Sequence, residues 1–140
     1  MTTHTEDTHT TASPVDTSTT REGLVLFAGI MLIVGGVYHA LSGVSAILKD
    51  TVYVATPNYT YSSDLTAWGW THLVLGVIVI GVGVAVTRRM AWGMVAGIAV
   101  AVLSLIANFL FLPHYPLWSI VMIAIDVAII YALATRLRNG

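Results

Sequence analysis

Residues 67–112 read AWGWTHLVLGVIVIGVGVAV, then TRRM, then AWGMVAGIAVAVLSLIANFLFL. Two long apolar runs thus flank Thr87-Arg88-Arg89-Met90. A helix crosses the hydrocarbon core of a bilayer in roughly 20 residues, and each run supplies that length. So few intervening residues permit only a tight turn, which predicts neighbouring helices running in opposite directions. Two arginines are costly within hydrocarbon, so the turn belongs at a membrane face.

The same pattern continues on both sides. Residues 23–48 form a further apolar run, long enough to tilt or project beyond the core, and residues 117–134 form a shorter one. Pro113-His114-Tyr115-Pro116 separates the third and fourth runs, and Pro116 suits the first position of a helix. The chain has 140 residues, 56% hydrophobic and 9% charged, against about 25% charged in soluble domains. A soluble protein this short has too much surface for its volume to hide so much apolar matter. The expected fold is all-α membrane, an antiparallel four-helix transmembrane bundle. A net charge of −1 gives no support to nucleic-acid binding, and the absence of cysteine excludes disulfides and thiolate metal sites.

Residues 1–22 differ in kind. They hold nine Thr, with Val15 the only branched aliphatic. They read as a disordered, Thr-rich cytoplasmic tail, whose His4 and His9 are loose metal ligands at most. The tail is acidic, and the apolar run after it is too long for a signal-peptide core. Residues 23–135 make up the membrane domain and residues 136–140 a basic cytoplasmic end. With four spans, Arg21, Arg88, Arg89, Arg136 and Arg138 share one side and Lys49 alone takes the other. The positive-inside rule then places both termini in the cytoplasm of a cell whose plasma (inner) membrane the protein crosses. Trp68, Trp70 and Trp118 mark the outer interface and Trp92 the inner one. In the outer loop, residues 52–55 and 59–61 flank Thr56-Pro57-Asn58, which reads as a short extracytoplasmic β-hairpin. Asn58-Tyr59-Thr60 also matches a glycosylation acceptor, a pattern common by chance.

Helices associate in lipid through close backbone approach and interhelical hydrogen bonds. Small residues therefore mark the contacts. Gly35, Gly36, His39, Gly43 and Ala46 share a face of the first span, and Gly69, His72, Gly76 and Gly83 a face of the second. Gly93, Gly97, Ala101, Ser104 and Asn108 form a stripe on the third. In the fourth, Asp126 lies opposite Ala124, Ala128 and Ala132, so that an alanine stripe is free to meet a second copy or another membrane protein. The strongest polar groups, His39, His72, Asn108 and Asp126, are expected to face the protein interior, the first three at similar depth.

Three uses of these polar groups stay open. They can be structural, each interhelical bond contributing about 0.6 kcal/mol and setting register. Asp126 can exchange protons with His39 or His72, as in a small proton-coupled transporter or ion pathway. His39 and His72 can ligate haem or a metal, although no arginine lies on the outer side to hold haem propionates. No catalytic motif is present, so the expectation is a non-enzymatic accessory or scaffold protein with no assigned cofactor, whose surroundings are the lipid bilayer.

Several stretches carry a resemblance: FAGIML at 27–32, DLTAWGWTHL at 64–73, FLP at 111–113 with YPLWS at 115–119, and Asp126-Val127 leading to IYAL at 130–133. Over residues 23–134 the chain resembles a family of small four-span actinobacterial membrane proteins of unknown function. The resemblance implies the four-helix fold and a bacterial plasma membrane, and transfers no activity.

Overall fold

The computed structural model describes residues 17–53 and 62–139, with the backbone alone at 50–53 and 62–65. It contains four α-helices: α1 (Thr17–Tyr53), α2 (Ser62–Thr87), α3 (Ala91–Phe111) and α4 (Pro116–Asn139). All four are long and apolar enough to cross a membrane. Among the described residues there is no strand.

The helices overrun the apolar spans. α1 has 37 residues, about 55 Å at ~1.5 Å per residue, so it extends well past a core roughly 30 Å thick. It begins at Thr17 and takes in Thr17–Glu22, which the sequence assigns to the tail. Extending an existing helix adds one hydrogen bond per ordered residue, far easier than starting one, and no Gly or Pro lies between Pro14 and Gly23. The same reasoning corrects the expected hairpin. Val52 and Tyr53, placed there in a strand, are the last residues of α1. The first residue that must break a helix is Pro57. The remainder of the expected hairpin, including Thr56-Pro57-Asn58, lies outside the described residues.

α4 likewise carries the basic end, with Arg136 and Arg138 in its last turn. Cations there favour the negative end of the helix dipole. Thr135 Oγ1 donates to Tyr131 O at 2.7 Å, and Asn139 Nδ2 to Thr135 O at 3.0 Å.

α1 packs most extensively on α2, and α3 on α4; smaller contacts of α2 with α3 and of α1 with α4 close the ring. The α1–α2 contact is backbone against backbone. A Cβ placed on Gly43 would lie 2.5 Å from Gly69 O, and one on Gly36 2.8 Å from Gly76 O. One on Gly83 would lie 2.9 Å from Gly29 O. The glycines therefore pair as 29/83, 36/76 and 43/69, seven residues apart on each helix. A seven-residue spacing keeps one seam facing its partner only if the helices wrap gently around each other with a left-handed twist. Gly35, grouped with this face by sequence, has open space around its Cα.

Side chains build the rest of the core. Val25, Ala28 and Leu32 of α1 meet Val79, Val82 and Val86 of α2, Met94 and Ala101 of α3, and Ile129, Ala132 and Leu133 of α4. At its centre the place left by the missing Gly97 side chain is ringed by Leu133 of α4, Leu32 of α1 and Val86 of α2. All four helices converge there. Gly93 lets α3 close on α2, since a Cβ would lie 2.6 Å from that of Ala85. This core occupies the part of the bundle nearest the α2–α3 turn.

That turn is well defined. Met90 N donates to Ala85 O at 3.0 Å and Arg89 N to Val86 O at 2.9 Å, the paired bonds of a Schellman ending. The motif demands a left-handed residue, and Arg89 supplies it at φ 60. Glycine is the usual occupant because it has no Cβ to clash. The Arg89 guanidinium instead reaches Glu22 Oε1 at 3.1 Å, both side chains about half exposed. Such an exposed pair contributes little. Arg89→Gly is therefore expected to raise the unfolding midpoint in a detergent–SDS titration, the relieved strain of ~1 kcal/mol outweighing the lost ion pair. A lowered midpoint would mean that the Glu22 contact matters more than the backbone.

Candidate functional site

The polar side chains within the spans form two groups. The first lies between α1 and α2. His39 and His72 approach with ring centroids 5.4 Å apart and planes tilted by 46°. His72 also stacks on Trp68, one helical turn before it, at 3.7 Å and 28°. Its Nδ1 lies 3.1 Å from Trp68 O. A carbonyl only accepts, so Nδ1 is the donor in this contact, and in the neutral ring Nε2 then keeps its lone pair. Tyr38 stands edge-on to His39 at 6.1 Å. His39 Nδ1 is buried and has no hydrogen-bond partner among the described residues.

Packing explains the approach of the two rings. His39 follows Gly36 by three residues and His72 precedes Gly76 by four, so each lies on its helix beside the glycine seam. Where backbones come that close, side chains flanking the seam must meet. Half-burial leaves both rings at the edge of the contact rather than in the core.

The second group belongs to α3 and α4. Asn108 Nδ2 donates to Ser104 O at 3.0 Å and to Ser104 Oγ at 3.3 Å. Across the helix contact Ser104 lies next to the Asp126 carboxyl of α4. Asp126 is only 4% exposed, and its Oδ2 has no hydrogen-bond partner among the described residues. A buried acid with one oxygen unsatisfied is expensive unless protonated or otherwise supplied. Ala124 and Ala128 are exposed on the other side of α4, while Ala132 is buried.

The four residues singled out by sequence therefore separate into a His39–His72 pair and a Ser104–Asn108–Asp126 set. Among the described residues no hydrogen bond or ring contact connects the two. Trp68, read only as an interfacial anchor, is an immediate neighbour of His72, a relation that the i, i+4 spacing carries. Ser119, which sequence left without a role, is buried at 1% exposure. His114 is exposed in the α3–α4 connection.

Among the described residues no three His, Asp or Glu side chains converge to hold a metal ion. A family model described as a domain of unknown function, DUF7144, matches residues 24–138. The chain belongs to that family. No curated protein and no solved structure matches the chain. The DUF7144 match starts in the second turn of α1 and runs to the last residues of α4, so it takes in both polar groups, the glycine seam and the α2–α3 turn. The DUF7144 domain is thus a unit of four membrane-length helices with an unknown activity.

Proposed function

We propose that this DUF7144 protein is a non-enzymatic accessory or scaffold subunit of a bacterial plasma membrane, its helices crossing as an antiparallel bundle with both termini in the cytoplasm. The glycine pairs 29/83, 36/76 and 43/69 support opposite directions for α1 and α2, because residue numbers rise along one helix as they fall along the other. Arg88, Arg89, Arg136 and Arg138, with Arg21, support the orientation by the positive-inside rule.

One observation carries the functional reading. Two of the intramembrane polar side chains are bonded within their own helix: His72 to the Trp68 carbonyl and Asn108 to the Ser104 carbonyl. Polar side chains bonded to their own backbone serve the helix itself rather than a substrate. Large apolar side chains meanwhile face outward from every helix, among them Leu41, Val77, Leu103 and Leu117. Such a surface suits lipid, another membrane protein or a second copy docked on Ala124 and Ala128.

The unpartnered Oδ2 of Asp126 favours one rival, a proton-coupled transporter in which that carboxyl binds and releases the proton. Asp126→Asn separates the two readings. A scaffold keeps its native-gel assembly and its co-purifying partners, and loses at most about 1–2 kcal/mol of stability. The transporter reading predicts unchanged folding with loss of pH-gradient-driven flux in vesicles, and that result would overturn the scaffold proposal.

A further inference from the structure

We infer that His39 and His72 form a two-nitrogen site for a copper ion at the edge of the α1–α2 contact. Three features of the pair support it. First, imidazole nitrogens bind transition metals at about 2.0–2.1 Å, so two rings converging on one ion have centroids roughly 5–6 Å apart. The observed separation is 5.4 Å. Second, a metal-binding imidazole characteristically donates its other ring N–H to a carbonyl, which fixes the tautomer and the ring direction. His72 is held this way by Trp68 O, and its stacking on the Trp68 ring restricts it further. Third, His39 brings a buried nitrogen with no hydrogen-bond partner among the described residues, and an unsatisfied buried polar atom calls for a ligand or a proton.

The choice of metal follows from the small donor set. No third His, Asp or Glu completes a metal group among the described residues, so the site depends on strong individual metal–nitrogen bonds. Among divalent first-row ions copper forms the strongest, ahead of zinc, and imidazole suits it. Position favours access. His72 lies four residues from Trp68, about 6 Å along the helix, and its ring is only half-buried. The ion therefore need not enter the middle of the hydrocarbon, where an uncompensated charge is costly. The second group, with its carboxylate, shares no bond with this pair, so copper binding does not depend on Asp126 or on the scaffold role.

The test uses the full-length chain in detergent with His4 and His9 replaced by Asn, which removes the tail imidazoles. Titration with copper(II) against a chromophoric chelator is expected to give one copper per chain, with zinc(II) bound more weakly. Electron paramagnetic resonance of the copper form is expected to show coupling to two nitrogens. H39Q and H72Q should each weaken binding by more than about tenfold, while H114Q leaves it unchanged. Should a glutamine variant fail to insert, carbethoxylation of the parent chain by diethyl pyrocarbonate, read by mass spectrometry, replaces it. Copper should then protect His39 and His72 but leave His114 reactive. Copper affinity unchanged in both variants, zinc bound more tightly than copper, or equal protection of all three histidines would each overturn the proposal.

Discussion

Substituting leucine for Gly76 is expected to separate α1 from α2 and abolish the folded bundle in detergent. The even smaller Gly76→Ala should still cost about 1–3 kcal/mol. The reason lies in what a Cβ at position 76 would touch. Its nearest neighbours are the Ala40 nitrogen and, at 2.6 Å, the Gly36 carbonyl oxygen. Both are backbone atoms, and helical backbone cannot rotate aside as a side chain can. The helices must move apart, and every dispersion contact along the seam weakens with them. Gly43→Ala should behave similarly, because a Cβ there lies 2.5 Å from Gly69 O and from Leu73 N. Gly97→Ala should cost less, since the nearest obstacle is the Leu133 Cδ1, the movable end of a side chain. Gly35 and Gly81 provide the control. Each faces open space, so alanine there should be neutral or stabilising by up to about 1 kcal/mol through helix propensity. Unfolding midpoints in mixed micelles for the five alanine variants would test this order. Equal losses at positions 35 and 76 would show that the seam does not hold the helices together.

Leu133→Ala is expected to be the most damaging truncation in the side-chain core, at about 2 kcal/mol or more. Leu133 is fully buried and stands where all four helices converge beside Gly97. In water, much of the cost of such a truncation is lost transfer energy. In a bilayer the acyl chains are as apolar as leucine, so the transfer part shrinks and the cavity and lost dispersion contacts remain. That places the expected value toward the low end of the usual range for leucine. Leu117 is the comparison, being 80% exposed on α4. Leu117→Ala removes the same atoms and opens no internal void, so it should leave the midpoint nearly unchanged. A Leu133→Ala variant as stable as Leu117→Ala would show that the four-helix convergence is not a packed core.

The fold was readable because the membrane imposes one severe rule: backbone polar groups in hydrocarbon must be satisfied within the helix. Apolar length therefore located α1 to α4 directly, and the Arg88-Arg89 pair located the α2–α3 turn. Helix ends were less legible, because apolarity reports where a helix meets lipid and not where its hydrogen bonds stop. α1 therefore runs through Thr17–Glu22 and Val52-Tyr53, beyond its apolar span. The α1–α2 face was visible in Gly36, Gly43, Gly69, Gly76 and Gly83, yet the seven-residue register also needs Gly29. Equal depth suggested that His39, His72 and Asn108 meet. Depth leaves azimuth open, and it is azimuth that sends Asn108 to Ser104 rather than to the histidines. The left-handed Arg89 had no sequence signal, since glycine is what the motif ordinarily selects.

The unequal character of the two helix pairs bears on how the chain is assembled. α1 and α2 leave the ribosome before α3 and α4 and meet through main-chain surfaces whose shape is set as soon as each helix forms. This first pair can dock in the insertion machinery with no help from later sequence. The second pair finds its place mainly by interdigitating side chains against that finished platform, with one close backbone approach at Gly93, so defects in biogenesis should trap a half-built protein with its leading pair native and its trailing pair unanchored.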